Sequence, residues 1–172
     1  SRDWNLAGSG GWDTSTANWT ADGGTTTTTF TSDGTVDVNF DTGSNATVTI
    51  AAGMNPASTT ASPSGGTLQF SGGPIAGSGG LTKSGDGVLQ LNAANSYTGK
   101  TVIQAGILQF QASGSTTAIL SNAGVNGALG APTGADAVID MYNEATLKVL
   151  SKSNQSTDRT INLADPTGAG TV

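Results

Sequence analysis

Neither histidine nor cysteine occurs among the 172 residues, so a Ser-His-Asp triad, a Cys-His pair and an ordinary zinc site are excluded by inventory. Carboxylate chemistry is what remains. Asp37, Asn39 and Asp41 alternate with Val38 and Phe40, which puts all three on one outward face of a strand. There they could bind calcium or act as paired acids, though the plainer reading is a solvated face. Trp4, Trp12 and Trp19 offer flat apolar faces that suit sugar rings. They suit equally a plug over the open end of a core, and the plug is the preferred reading. Asn18-Trp19-Thr20, Asn45-Ala46-Thr47 and Asn154-Gln155-Ser156 fit the N-glycosylation pattern, which arises by chance in so Thr- and Ser-rich a chain. No catalytic residue, cofactor site or metal site is assigned.

The elements that would position these groups are visible in three near-identical tetrads: Thr67-Leu68-Gln69-Phe70, Val88-Leu89-Gln90-Leu91 and Ile107-Leu108-Gln109-Phe110. Their leucines are 21 and 19 residues apart. A repeat of that length, made of short strands and Gly-rich corners, cannot bury its apolar side alone, so successive copies must stack as a β-solenoid. Stacking predicts an inward core of Leu68, Phe70, Leu89, Leu91, Leu108 and Phe110. It also predicts an outward ladder of Gln69, Gln90 and Gln109, whose amides can bond along the axis.

Composition agrees with short strands rather than helices. Only 35% of residues are hydrophobic and 26 are glycine, and the apolar clusters run three to five residues, too short for a helical bundle. The 6 basic and 12 acidic residues give a net charge of −6 with no basic run, which argues against nucleic acid and anionic lipid as partners. No apolar stretch approaches the ~20 residues of a membrane span, so direct membrane insertion by this segment is not expected. Ser1-Arg2-Asp3-Trp4 has neither a basic start nor an apolar core, so the chain reads as mature, excised or cytosolic.

Residues 1–35, ending in five consecutive threonines at 25–29 and the short link after them, read as an irregular Trp-containing N-terminal cap. Residues 36–172 read as continuous coils, with the clearest repeat at 65–111. Val36–Phe40 and Ala46–Ile50 alternate as strands; Met54–Gly66, holding Pro56 and Pro63, reads as a loop or broken corner. Further strand signatures lie at Leu81, Val102-Ile103, Ala137–Met141, Thr146–Val149 and Thr160–Leu163, and Asn122–Gly134 reads as a short helical turn or a bulging loop. About 20 residues per coil gives about six to eight coils and a rod some 30 to 40 Å tall. Gly168–Val172 ends where a further strand would begin, so Thr171 and Val172 mark a possible assembly edge, covered by more of a longer passenger or by a neighbouring copy.

Gly79-Gly80-Leu81-Thr82-Lys83-Ser84-Gly85-Asp86-Gly87-Val88-Leu89-Gln90-Leu91, with Asn95-Ser96-Tyr97-Thr98-Gly99 and Thr101-Val102, closely resembles the autotransporter-associated β-strand repeat, or passenger-associated transport repeat. The likeness runs from about Gly79 to Phe110. Thr157–Leu163 and Gly11–Trp19 resemble other segments of the same proteins. The resemblance implies an all-β, right-handed parallel β-helix, extracellular or at the surface of a Gram-negative-type cell, usually within a larger protein that has a C-terminal membrane barrel. The expected function is a non-enzymatic structural module of a surface protein or fibre, acting in adhesion or self-association by head-to-tail stacking into filaments. Its expected partners are its own copies or neighbouring coils, and a cell-surface glycan or matrix. A carbohydrate-binding module and a polysaccharide-degrading β-helix enzyme are the alternatives.

Overall fold

A computed structural model describes residues 1–111, 119–142, 144–150 and 154–164. Its strands are β1 Arg2–Trp4, β2 Gly10–Trp12, β3 Trp19–Ala21, β4 Thr27–Thr28, β5 Asp37–Phe40, β6 Ala46–Ile50, β7 Ser58–Ala61 and β8 Thr67–Gly72. They continue with β9 Leu81–Lys83, β10 Val88–Leu91, β11 Thr101–Ile103, β12 Ile107–Gln111, β13 Val138–Tyr142, β14 Thr146–Leu150 and β15 Thr160–Ala164. Among the described residues the one helical element is a 3-10 turn at Gly134–Asp136. The stretch Asn122–Gly130 holds turns and no helix.

From β5 onward, successive strands alternate between two sheets. One has the order β15-β13-β11-β9-β7-β5-β1-β3-β4 and the other β14-β12-β10-β8-β6-β2. The second is parallel throughout; the first is parallel except where β3 pairs antiparallel with β1 and β4. This all-β, largely parallel arrangement is compatible with a β-helix. Parallel strands need a crossover between them, and here each crossover is the passage through the opposite sheet. A third side is closed by the Met54–Ile75 bridge and by Ser96 and Tyr97, whose amides both donate to the Ile75 carbonyl.

Register is the main structural fact. Leu68, Leu89, Leu108 and Leu147 are direct partners across β8, β10, β12 and β14, and Phe70, Leu91, Phe110 and Val149 form the next column. Leu68, Leu89 and Leu108 are wholly buried. Alternation does the sorting: β8, β10 and β12 each bury their second and fourth residues, because successive side chains of a strand face opposite ways. The buried cluster runs from Trp4 and Phe30 through to Ile139.

Corners let the layers approach to backbone contact. A Cβ on Gly99 would lie 2.5 Å from the Gly79 carbonyl carbon, and one on Gly106 would lie 2.4 Å from the Gly85 oxygen at a φ of +64°. Only glycine satisfies both the space and the left-handed backbone at Gly106.

Two expectations need correcting. Met54–Gly66 is not merely a loop, since Ser58–Ala61 forms β7, paired in register with β5 and β9. Its Ser-Thr-Thr-Ala sequence has low apolar content, and neighbouring layers supply the pairing that propensity does not. The N-terminal segment, expected as an irregular cap, also contributes β1 and β2 to the parallel stacks; only the β3–β4 hairpin breaks the pattern.

Truncating Leu89 to Ala should lower stability by about 2–5 kcal/mol in urea unfolding, because the layers on either side hold the cavity open. Gln90→Ala, on the outward side of the same strand, should cost no more than about 1.5 kcal/mol.

Candidate functional site

The outward faces carry polar columns. On the wholly parallel sheet, Thr47, Gln69, Gln90, Gln109 and Lys148 stand in register. The Gln109 amide donates to Gln90 Oε1 at 2.7 Å, and Gln90 donates to Asn92 Oδ1 at 2.9 Å; Gln69 shares the column without an amide bond to Gln90. On the other sheet the column is Asp3, Asn39, Thr60, Thr82, Val102, Asp140 and Asn162. Asn39 donates to Asp3 at 2.8 Å, Asn162 donates to Asp140 at 3.1 Å, and Lys100 pairs with Asp140 at 3.1 Å. Each carboxylate thus meets a neutral or cationic donor from an adjacent layer, and like charges are not stacked.

The acids singled out from the sequence do not converge. Asp37 accepts a hydrogen bond from the Ser58 hydroxyl, Asn39 turns to Asp3, and Asp41 is exposed. Among the described residues no cluster of three or more metal-ligating side chains occurs.

The three tryptophans form an aromatic knot. Trp12 and Trp19 are fully buried and Trp4 is 7% exposed. Trp19 meets Trp4 edge-on at 5.1 Å and Trp12 at 5.6 Å, and Phe30, Phe40 and Phe70 complete the cluster. These ring faces are spent on one another, so these residues present no open platform to a sugar. The indole N–H groups of Trp12 and Trp19 have no partner. Each orphan costs about 1–3 kcal/mol, against roughly 5 kcal/mol gained by burying some 200 Å² of indole, so packing prevails.

The opposite edge is unlike this one. Among the described residues β14 and β15 are the last strands of the two sheets, with Val149, Ile161 and Leu163 exposed although they share columns with buried Phe110 and Ile139 and with Met141. Thr171 and Val172 lie outside the described residues.

Composition did not point to the polar groups buried inside the repeat. Lys83 faces inward between Ala61 and Ile103, with no exposed surface. Its ammonium donates to the carbonyls of Ser84 at 2.7 Å, Gly85 at 2.7 Å and Ala105 at 3.0 Å, fastening two successive corners. Asn95, also buried, accepts from the Ile75 amide at 2.9 Å and donates to the Ala128 carbonyl at 2.8 Å. One side chain therefore ties together the segments on either side of it. Tyr97 shares a 2.8 Å bond with the Thr101 hydroxyl. Buried Arg159 donates to the Leu129 carbonyl at 2.8 Å. The neighbouring Thr157 donates to the Ser121 carbonyl, and Asp158 accepts from the Ala123 amide. The Leu-Thr-Lys alternation was the available signal for Lys83, overridden because a lysine is read as outward by default.

Burial pushes the Lys83 amine down to about 8 despite the opposing pull of Asp86, and pushes the Tyr97 phenol up to about 12. For Lys83 the unfolded chain holds the extra proton between about 8 and the ordinary 10.5, so stability rises with pH across that window. For Tyr97 the folded chain holds it between the ordinary 10 and about 12, so stability falls there. Urea midpoints from pH 7 to 12 should therefore rise and then fall. Lys83→Met should remove the rise and, by leaving three carbonyls without their donor, cost about 1–3 kcal/mol at pH 7; Tyr97→Phe should remove the fall.

Comparison with known proteins bears on this same stretch. No curated protein and no solved structure matched the chain. Residues 81–110 match the family model described as Passenger-associated-transport-repeat, so the match spans Lys83, Asn95, Tyr97 and the Val88–Leu91 and Ile107–Phe110 tetrads. That repeat belongs to autotransporter passengers and implies a secreted or surface location; among the described residues no helix is long and apolar enough to cross a membrane. The stretch from Leu81 to Phe110 is thus similar to the passenger-associated transport repeat, a structural repeat of autotransporter passengers.

Proposed function

We propose that the chain is a non-enzymatic shaft segment of a bacterial surface protein or fibre, at the exterior of a Gram-negative-type cell. Its strands wind as a right-handed parallel β-helix of about six to eight coils, and its polar faces serve adhesion or self-association. The observation that carries this reading is the in-register column Leu68-Leu89-Leu108 with the transport repeat laid directly on it. Such stacking spends the inward apolar columns, and buried Lys83 and Asn95, on holding one layer to the next. The groups left to meet other molecules are the polar columns of the outer faces, mostly Thr, Asn and Gln.

Self-association is assigned to the ends. Exposed Val149, Ile161 and Leu163 extend columns that are buried further in, and a strand edge with no further partner among the described residues is a template for another strand. In head-to-tail stacking this edge meets the β2 and β4 edges of a second copy, a contact that repeats without closing.

Sedimentation velocity over a hundredfold concentration range, with negative-stain electron microscopy, should show species growing in length with concentration. Ile161→Lys combined with Leu163→Lys should abolish the growth while leaving the far-UV spectrum unchanged. A wild-type chain that stays monomeric throughout removes self-association from the reading.

A further inference from the structure

Beside the β2 edge, the wholly parallel sheet carries a groove of about 300 Å³ lined by Ser9, Asn45, Ala46, Thr47, Thr67 and Gln69. Its origin lies in the register. β2 begins opposite Val48, so among the described residues Ala46 and Thr47 have no strand partner on that side. The Thr47 amide is instead met by the Ser9 hydroxyl at 2.8 Å, and the Thr67 amide by Asn45 Oδ1 at 2.8 Å. Local polar side chains thus satisfy the backbone, as buried or half-buried amides require, and the groove walls are fixed by those bonds.

The remaining polar atoms of the lining are unspent. Among the described residues, the Thr47 and Thr67 hydroxyls, the Gln69 carboxamide and the Asn45 Nδ2 have no partner within the chain. Each hydroxyl can donate and accept, and each carboxamide nitrogen donates twice. No lining side chain is charged or aromatic. An anionic ligand would find no cation to pair with, a cationic one no carboxylate, and an apolar one would strand the hydroxyls and amides without water. A neutral ligand dense in hydroxyl groups matches this inventory, and the volume is at the small end of ligand sites. The groove also opens onto the Gln69-Gln90-Gln109 column, a row of amides running along the stack from layer to layer.

We infer that this groove is a subsite for a neutral saccharide, whose chain continues along the glutamine column. The inference rests on the reading of the chain as a surface shaft and gives its adhesive role a ligand class and a place. With no aromatic stacking available, the affinity of one such subsite is set by a few hydrogen bonds, a Kd on the order of 1 mM.

The test is a titration followed by ¹H–¹⁵N spectra, using cellohexaose, chitohexaose and maltoheptaose as neutral probes and an oligogalacturonate as the acidic control. The expected result is saturable movement of the Thr47, Thr67 and Gln69 amides with at least one neutral probe and none with the acidic one. Thr47→Val and Gln69→Met, each nearly isosteric and outward-facing, should keep the folded dispersion and weaken binding about fivefold to tenfold. Absence of movement at those amides, equal binding of the acidic control, or unchanged affinity in either folded variant overturns the subsite. The sedimentation outcome is independent of all three, so failure here is separable from failure of the shaft.

Discussion

Parallel pairing in strict register is the constraint from which the rest follows. When each residue lies on its counterpart in the next layer, a position's character is multiplied along the whole stack. An apolar inward position becomes a continuous column, as with Leu68, Leu89 and Leu108. An outward charge would become a row of like charges, and the chain avoids this by filling those positions with Thr, Asn and Gln and by pairing Asp3 with Asn39, and Asp140 with Asn162 and Lys100. The low charge content, 10% of the residues, fits this multiplication.

The same constraint governs the buried polar groups. Lys83, Asn95 and Arg159 each reach backbone carbonyls rather than carboxylates, and each binds a segment distant in sequence. Strand ladders secure the flat sides but leave the corners between them with fewer regular bonds. There a long donor side chain can collect carbonyls from two layers at once. The stretch of this chain that matches the repeat model is therefore more than an apolar tetrad: Lys83 and Asn95 supply bonds between its corners.

How much could be read in advance depended on whether a signal was local. The Leu-Gln tetrads announced their strands because alternation and spacing agreed, and Leu81, Val102-Ile103 and Thr146–Val149 did so more faintly. Ser58–Ala61 was hidden, since a strand of Ser, Thr and Ala shows no apolar pattern and exists because β5 and β9 flank it. The dual nature of the N-terminal segment was hidden as well: nothing local in Gly10-Gly11-Trp12 reveals that it lies on Thr49 and its neighbours. The groove beside β2 depends on where one strand starts relative to another, a property of the assembled sheet that no single segment encodes.

The connection between β12 and β13 has a consequence of its own. Thr101 and its partner Ile139 are 38 residues apart in sequence, against 20 from Leu81 to Thr101 and 22 from Ile139 to Ile161, yet pairing resumes with no slip. The described part of that connection, residues 119–137, bonds back to Asn95 and Tyr97, and the register of the stack goes on unchanged. A stack of this kind therefore fixes the order and register of its layers but not the length of chain between them, so coils of unequal length can share one scaffold.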